Sequence, residues 1–379
     1  MIVAGVMSGT SADGINVVLV RLSSGRARLQ LLGHAEYPYP KAVRRFVLGA
    51  MNSQRARVSD LARLNFLLGG LYADAVLATQ RRFRVKAALV GCHGQTIYHQ
   101  GEAAPFIGRK LAATWQTGEG AVIAARVGVP VVTDFRPADM AAGGNGAPLV
   151  PYFDFLLYRD TRIGRIAQNI GGIANLTAIP ARASSGQVVA FDTGPGNMAI
   201  DALMERFFHK PYDENGRVAA SGKVLDRVVT DLLQEPFFRR KPPKTAGREE
   251  FGREFAENLV RRCGRAAPRD VVATATALTA RSIADSLQRF VLSKRHAYRE
   301  FIVSGGGTKN PTLMALLAME LRPLGLKVAS SDELGVPSEA KEAAAFALLA
   351  YETWHRRPSN VPSATGAKRP AILGKISYA

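Results

Sequence analysis

The sequence has few cysteines and no long apolar run. Only Cys92 and Cys263 occur among its 379 residues, in no CxxC pair, which argues against a thiolate zinc cluster and against a disulfide framework. The N-terminus has no basic segment, and charged residues such as Asp74 and Arg126 interrupt the most apolar stretches. We therefore expect a cytoplasmic protein without a targeting signal or a membrane span.

Acidic residues are also scarce. The chain has 50 Lys and Arg against 31 Asp and Glu, a formal net charge of +19. The basic residues come in short, scattered groups, such as Arg44-Arg45 and Arg239-Arg240-Lys241, and no RNP-like aromatic motif accompanies them. We expect no nucleic-acid partner, and the charge is compatible with acidic ligands or with solubility alone.

The common nucleotide and hydrolase motifs are missing. No GxGxxG follows a strand and opens a helix, and no Walker A, HExxH or GxSxG motif occurs. Any phosphate binding must therefore come from other turns.

Strand and helix patterns alternate along the chain, and one arrangement occurs twice. Residues 2–7 and 15–22 are β-branched runs on either side of a polar turn, and residues 166–170 and 174–179 flank a Gly-Gly turn in the same way. Helical patterns follow in both halves, and an alanine-rich helix is predicted over 338–355. The pattern predicts an α/β protein with two related halves, and the glycine- and proline-rich segment 137–151 is the best candidate for the boundary between them.

Three glycine-containing turns follow predicted strands, at residues 8–14, 169–175 and 304–310. Glycine leaves successive backbone N–H groups free to point at one anion, so each turn is a candidate phosphate site. For the first turn, a tight polar hairpin without a ligand is an equally good interpretation, since Ser, Gly and Asp are ordinary turn formers.

Carboxylates stand at the ends of predicted strands. Asp134 and Asp192 each follow an apolar run, so that either can act as a general base at the edge of a sheet, although Asp192 also suits a helix N-cap. Glu119 opens a predicted helix, where the helix dipole alone favours a carboxylate.

Other polar residues of these loops suit substrate contacts. Arg136 and Asn145 can bind a polar substrate, although an ion pair would explain Arg136 as well. His93 lies between a buried strand and Gly94, which suits a substrate contact or a proton transfer. No carboxylate stands at metal-ligand spacing from His93, so we expect no zinc site there.

Seven motifs, in order over nearly the whole chain, together resemble those of the anhydro-N-acetylmuramic acid kinases. They are GVMSGTS with Asp13-Gly14 (5–14), CHGQT (92–96), TDFR (133–136), GGNGAPL (143–149), NIGGIAN (169–175), FDTGPGN (191–197) and SGGG (304–307). The resemblance implies a two-domain, actin-like and ribonuclease H-like ATPase fold with a nucleotide cleft between the domains. We expect an N-terminal domain of residues 1–136, joined by 360–379, and a second domain of residues 137–359.

The resemblance also implies the reaction. The enzyme would open the 1,6-anhydro ring of 1,6-anhydro-N-acetylmuramic acid with water and phosphorylate O6 with ATP, which gives N-acetylmuramate 6-phosphate and ADP in peptidoglycan recycling. ATP and Mg²⁺ are the implied cofactors, and the family implies a homodimer.

Site residues follow by matching the motifs position by position. Asp192 resembles the base that activates water, and Asp13 would hold the metal through Mg·ATP. The residues that match the nucleotide side are Gly9, Thr10, Ser11, Ala12, Asp13, Gly14, Ile15 and Asn16 in the phosphate loop, Gly171 and Gly172 in the opposing turn, and Gly305, Gly306 and Gly307 near the adenosine. The residues assigned to the sugar side are His93, Glu119, Asp134, Arg136 and Asn145.

One departure from the family pattern leaves alternatives open. The family usually has a second Asp where this chain has Asn16, which keeps the shape of the side chain but loses its charge. We expect Asp13 to suffice. The alternatives are an ATP-dependent binding module that does not turn over sugar, and an ordinary sugar kinase that phosphorylates a free hydroxyl without using water.

Overall fold

A computed structural model describes residues 1–9, 12–23, 29–53, 55–292 and 298–379, and it confirms the expected α/β class. The strands are β1 Ile2–Met7, β2 Gly14–Leu22, β3 Leu29–Pro38, β4 Leu89–Cys92, β5 Gln95–Phe106, β6 Arg109–Thr117, β7 Val131–Thr133, β8 Gly164–Ile170, β9 Ile173–Ile179, β10 Val189–Pro195, β11 Tyr298–Ser304, β12 Lys327–Ser330 and β13 Lys375–Ser377. The helices are α1 Lys41–Ala50, α2 Val58–Phe83, α3 Gly120–Val127, α4 Phe135–Ala141, α5 Val150–Tyr158, α6 Asn197–Phe208, α7 Arg217–Ser221, α8 Asp226–Leu232, α9 Pro236–Arg239, α10 Arg248–Phe251, α11 Arg253–Cys263, α12 Pro268–Phe290, α13 Pro311–Leu321, α14 Lys341–Trp354 and α15 Pro362–Thr365.

The chain forms two compact units. Unit 1 comprises Met1–Leu157 and Glu339–Ala379, and unit 2 comprises Tyr158–Ser338. These limits lie at other residues than the domain bounds expected from the sequence, and the division of the chain into domains at 136 and 359 stays a prediction.

Unit 1 is built on a six-stranded sheet in the order β13-β7-β4-β1-β2-β3. Strands β1, β2 and β3 form an antiparallel meander, β4 and β7 extend it in parallel on the other side of β1, and β13 pairs antiparallel with β7. Residues 17–20 of β2 are all buried, because helices cover both faces of the sheet.

Unit 2 repeats this arrangement. Its five-stranded sheet has the order β10-β9-β8-β11-β12. Again a three-stranded antiparallel meander is extended by two parallel strands beside its first strand. Without β13, the two sheets therefore share one strand order and one set of directions, which confirms the two related halves and agrees with the expected actin-like architecture.

Helix α14 lies directly on the backbone of the first sheet. Its sequence is rich in alanine, so the helix can approach β1 and β4 closely. A Cβ on Gly5 would overlap the carbonyl oxygen of Ala343, and a Cβ on Gly91 would overlap that of Phe346. These two strand glycines therefore set the distance between sheet and helix.

We predict that Gly91→Ala lowers the free energy of unfolding by about 1–3 kcal/mol, because the new methyl group must displace α14. Urea unfolding measures the change. Gly49→Ala is the matched control, since Gly49 lies in α1 with open space around its Cα, and alanine there favours the helix by up to about 1 kcal/mol. Equal stability of the two variants would contradict the close approach.

A hairpin of β5 and β6 was not expected from the sequence. The two strands form a separate two-stranded sheet, connected through Ile107-Gly108. Most of the residues near the connecting turn are exposed on both faces of this sheet. The sequence therefore has neither the alternation of apolar and polar residues nor the apolar run that indicates a strand.

Helix α2 is long and apolar enough to cross a membrane, by length and composition only. The sequence analysis predicted no such segment. Leu64, Leu68 and Tyr72 of this helix are buried in the core of unit 1. One helix of this kind is weak evidence for a membrane protein, since core helices pass the same test.

Candidate active site

The turn between β1 and β2 is held at its base by a buried hydrogen-bond network in unit 1. The Ser8 hydroxyl lies 2.8 Å from Oε1 of Gln95 and 3.0 Å from the carbonyl oxygen of Gly14, and it accepts a hydrogen bond from Tyr39 at 2.9 Å. The Gln95 amide donates to the carbonyl oxygen of Gly9 at 3.1 Å. The Ser8 hydroxyl therefore joins the two ends of the turn, and Gln95, noted in the sequence only as part of a motif, holds its first two residues.

Within the turn, Ala12 has a left-handed φ of 52°, while the expected Thr10 and Ser11 lie outside the described residues. Ile15 is buried in β2, and Asn16 after it is half-buried. The Asn16 side chain contacts β3, where its Oδ1 lies 2.9 Å from Nε2 of His34.

Asp13 is the only protein carboxylate of this turn, and it fits a limited role toward a metal. Its side chain is 70% exposed, and Oδ1 forms an ion pair with Arg44 at 2.9 Å. Magnesium that is bound mainly by nucleotide phosphates and water needs only one or two carboxylates. Among the described residues no cluster of three His, Cys, Asp or Glu could hold a metal ion. The residues fit an ion carried by the nucleotide and not a protein cage.

Arg136 and His93 form a contact pair in unit 1. Nε and Nη2 of Arg136 lie 3.2 and 3.1 Å from Nε2 of His93, and Nδ1 of His93 lies 2.8 Å from the carbonyl oxygen of Gly94. Because a guanidinium can only donate, Nε2 accepts and Nδ1 has the proton. Burial and the Arg136 charge lower the pKa of His93 to about 3. His93 is thus neutral and orients Arg136, which favours a substrate-positioning role over a proton transfer.

The positive charge of Arg136 remains available. Among the described residues, no carboxylate forms an ion pair with Arg136. Burial lowers its pKa to about 10, and the carboxylate of Glu342 opposes this shift. Arg136 is therefore charged at neutral pH and can bind an anion. Glu342, in the first turn of α14, was missed in the sequence because it lies in an alanine-rich helix pattern.

The loop of residues 143–149 is fixed by Asp139, which the sequence analysis missed. Asp139 is buried, and its Oδ1 accepts hydrogen bonds of 2.7 Å from both Asn360 and Thr365. Its Oδ2 accepts the N–H of Gly146 at 2.9 Å. Asn145 is held in addition by its own N–H, which donates to the carbonyl oxygen of Thr365 at 2.8 Å. Asp139 therefore joins the loop around Asn145 to the C-terminal segment.

Glu119 and Asp134 lie at helix starts, with different environments. One oxygen of Glu119 accepts the N–H of Ala121 and caps α3, while the other accepts the side-chain amide of Asn65 at 3.0 Å. Asp134 follows β7 with a left-handed φ of 52° and makes no capping bond to α4. Its carboxylate lies 3.6 Å from Nζ of Lys375. Glu119 thus caps a helix, whereas the half-buried Asp134 is paired with Lys375 and caps no helix.

Asp192 lies on β10 of unit 2, next to a β-bulge. The pairing with β9 shifts between Asp192 and Gly194, and such a shift changes the direction of the side chain. Oδ2 of Asp192 accepts the N–H of Ala246 at 2.7 Å, and its own N–H donates to the carbonyl oxygen of Lys244 at 3.0 Å. Burial raises the pKa of Asp192 to about 7, and the Ala246 hydrogen bond and the charge of Lys244 oppose the rise. A carboxylate with this pKa suits a general base at neutral pH.

The glycine turns at residues 169–175 and 304–310 come together in unit 2. The N–H groups of Gly196 and Asn197 donate to the carbonyl oxygens of Gly172 and Gly171, at 2.9 and 2.8 Å. A Cβ on Gly307 would lie 2.5 Å from the Ile170 side chain, just before the Gly171-Gly172 turn. The structure therefore brings together Gly171, Gly172 and the 305–307 turn as neighbours.

A pocket of about 510 Å³ opens beside these turns, and its size suits a drug-sized ligand. Three acidic residues line it, and one of them, Asp201 on α6, has a pKa raised to about 7 by burial. The residues that line it are Asn197, Ile200, Asp201, Tyr212, Asp213, Glu214, Asn215, Gly306, Lys309 and Asn310.

Both α/β units have glycine turns at the ends of their strands, and such turns suit the binding of phosphate groups. The family model described as anhydro-N-acetylmuramic acid kinase matches residues 1–379. Anhydro-N-acetylmuramic acid kinases of Bacillus cereus (strain AH187) and Bacillus anthracis (strain CDC 684 / NRRL 3495) are 44% and 43% identical over 383 residues, which cover 100% of this chain and 99% of each relative. The chain belongs to the anhydro-N-acetylmuramic acid kinase family.

Solved structures show more distant likenesses. Component A of the (R)-2-hydroxyglutaryl-CoA dehydratase of Acidaminococcus fermentans is 11% identical, with a TM-score of 0.46, over 93% of this chain and 98% of that one. A ROK family glucokinase of Streptomyces griseus is 14% identical, with a TM-score of 0.39, over 93% of this chain and 100% of that one.

Proposed function

We propose that this enzyme binds 1,6-anhydro-N-acetylmuramic acid and ATP, opens the anhydro ring with water and phosphorylates O6. The products are N-acetylmuramate 6-phosphate and ADP, within peptidoglycan recycling. Beyond family membership, the observation that supports this reaction is Asp192, a carboxylate fixed by the Ala246 N–H with a pKa of about 7.

Asp192 acts as the base in the proposed mechanism. It removes a proton from water as the water oxygen forms a bond to the anomeric carbon, and the bond from that carbon to O6 breaks. O6 leaves with the electron pair and forms a bond to the γ-phosphorus of ATP, while the bond to ADP breaks. O6 needs no separate acid, because phosphorus takes the place of a proton.

The sugar side comprises residues of unit 1. The lactyl group of the substrate carries a carboxylate, and the charged guanidinium of Arg136, oriented by His93, suits this carboxylate. Asn145, Glu119 and Asp134 are proposed to contact the polar groups of the sugar ring. The Asn145 backbone and the Glu119 side chain are both held by contacts of their own.

The nucleotide side comprises the turn of residues 9–16, the turn of Gly171 and Gly172, and the 305–307 turn. The pocket beside Gly306 has room for the adenosine. Magnesium, when bound with ATP, supplies charge neutralisation at the phosphates, and Asp13 is the residue that would hold it. A cytoplasmic location, a homodimer, and the lack of nucleic-acid and membrane partners stay predictions.

The proposal is tested by mass spectrometry of the product formed from ATP, Mg²⁺ and 1,6-anhydro-N-acetylmuramic acid in ¹⁸O-labelled water. We expect a product with one phosphoryl group and one solvent oxygen at the anomeric carbon. A phosphorylated product without solvent oxygen would indicate an ordinary sugar kinase. ATP binding without any product would indicate a non-catalytic module.

A further inference from the structure

Lys244 is a buried lysine in unit 2 with an unusual environment. It is 3% exposed, and its Nζ donates to the carbonyl oxygens of Phe237 and Phe238 at 3.2 and 3.4 Å. The ring centroids of Phe237, Phe290 and Phe191 lie 4.7, 5.1 and 5.7 Å from the same nitrogen. Carbonyl dipoles and aromatic faces both stabilise a cation. The site therefore holds the charged amine without an ion pair to any carboxylate of the described residues.

The segment that Lys244 anchors contacts Asp192 at two points. The carbonyl oxygen of Lys244 accepts the Asp192 N–H at 3.0 Å, and two residues later the Ala246 N–H donates to Oδ2 of Asp192 at 2.7 Å. Phe191, one of the three rings around the ammonium, directly precedes Asp192. The position of the Asp192 side chain therefore depends on a segment that the Lys244 side chain ties to α9.

Several charged groups act on the Asp192 carboxylate and on the Lys244 ammonium. Lys244 and Glu250 act on Asp192, where Lys244 lowers the pKa and Glu250 raises it. Arg240, Asp285, Arg289 and Asp192 act on Lys244, and burial is the largest cause that lowers its pKa, to about 8. Lys244 is thus mostly protonated at neutral pH, in the range where Asp192 loses its proton.

We propose that Lys244 is a positioning residue for Asp192. Lys244 anchors residues 244–246 against the carboxylate of Asp192, and its buried positive charge favours the ionised form of that carboxylate. The proposal deepens the function proposed above and rests on Asp192 as the base. No sequence motif indicated it, since Lys244 lies 52 positions after Asp192 in a basic, proline-rich stretch.

Lys244→Met tests the proposal, with Lys241→Met as the matched control, because Lys241 is an exposed lysine three residues earlier. The measurement is kcat/KM for ring opening as a function of pH. We expect the acidic limb of Lys244→Met to move up by about one pH unit, the order of shift that a nearby opposite charge causes. Lys241→Met should keep the wild-type profile, and Lys244→Arg should stay close to the wild-type profile because it keeps the charge.

A second measurement separates this proposal from the proposed function. The carboxyl carbon of Asp192, assigned by its loss in Asp192→Asn, is titrated by ¹³C NMR in the enzyme without substrate. An upward move of this titration in Lys244→Met supports the proposal even if Asp192 is not the base. Full activity of Asp192→Asn would refute the base and leave the titration result standing.

If Lys244→Met does not fold, Lys244→Gln takes its place, since the amide keeps donors for the Phe237 and Phe238 carbonyls without the charge. The proposal is overturned if the folded uncharged variant, Lys244→Met or Lys244→Gln, has the wild-type Asp192 titration and the wild-type pH profile. This holds whatever the thermal stability of the variant. Lowered stability with an unchanged profile would show that Lys244 only supports packing.

Discussion

Replacing Asp192 with asparagine is expected to lower kcat for ring opening by about 10³-fold or more, while ATP binding stays at the wild-type level. The amide has the shape of the carboxylate and its oxygen can still accept the Ala246 N–H, so the β-bulge and the 244–246 segment should keep their positions. What is lost is the ability to take a proton from water.

The measurements for this variant are single-turnover ring opening by mass spectrometry and ATP affinity by calorimetry. Asp226→Asn is the control, because Asp226 is an exposed carboxylate of the same unit that forms an ion pair with Arg281. A variant at position 192 with wild-type kcat would remove Asp192 from the mechanism.

The pH profile of the wild-type enzyme belongs to the same prediction. A base must be deprotonated, and the pKa of Asp192 is raised from its usual range to about 7, so that the group is protonated below this pH. We therefore expect kcat/KM to fall about tenfold per pH unit below pH 7. Asp192→Asn should lack this limb, since its residual rate depends on no carboxyl at that position.

The second large effect is expected for Arg136→Met. The variant keeps an unbranched, mostly apolar stem but removes the guanidinium cation. We expect KM for the anhydro sugar to rise about 10- to 100-fold, the range for one charge-assisted contact. His93 loses its donor as well, and since it is already neutral it needs no new counter-charge.

A comparison of two sugars makes this test specific. 1,6-Anhydro-N-acetylglucosamine lacks the lactyl carboxylate, and the wild-type enzyme should discriminate against it. In Arg136→Met the ratio of kcat/KM for the two sugars should approach one, if Arg136 binds the carboxylate. Arg126→Met is the control, because Arg126 is an exposed arginine of unit 1 that is paired with Asp74. A variant that is less stable but keeps the wild-type ratio would contradict the assignment.

The sequence was informative where a structural element depends on its own residues. Buried strands have apolar runs in the sequence, so the bounds of β1, β2, β8 and β9 were predicted to within two residues. Helix α14 was predicted over 338–355 and is observed over Lys341–Trp354. The repetition of the meander was visible because a strand, a turn and a strand occur in both halves. The exposed hairpin of β5 and β6 gave no such pattern.

Contacts between distant parts of the chain could not be predicted. Asp139 accepts hydrogen bonds from Asn360 and Thr365, which lie 221 and 226 positions further along the chain. The contact of Asp192 with Ala246 spans 54 positions. Motifs indicated which loops matter, but the hydrogen bonds that fix these loops come from residues whose types alone are ordinary, such as a threonine, a lysine and an alanine N–H.

The division of unit 1 into two segments has a consequence for biosynthesis. On the ribosome, residues 158–338 are complete while the first sheet still lacks α14, which covers β1 and β4, and β13, which pairs with β7. Unit 2 can therefore fold first, and the apolar face of β1 and β4 stays uncovered until residues 339–379 have emerged. A nascent chain of this protein thus exposes this face early and covers it only after α14 has been made.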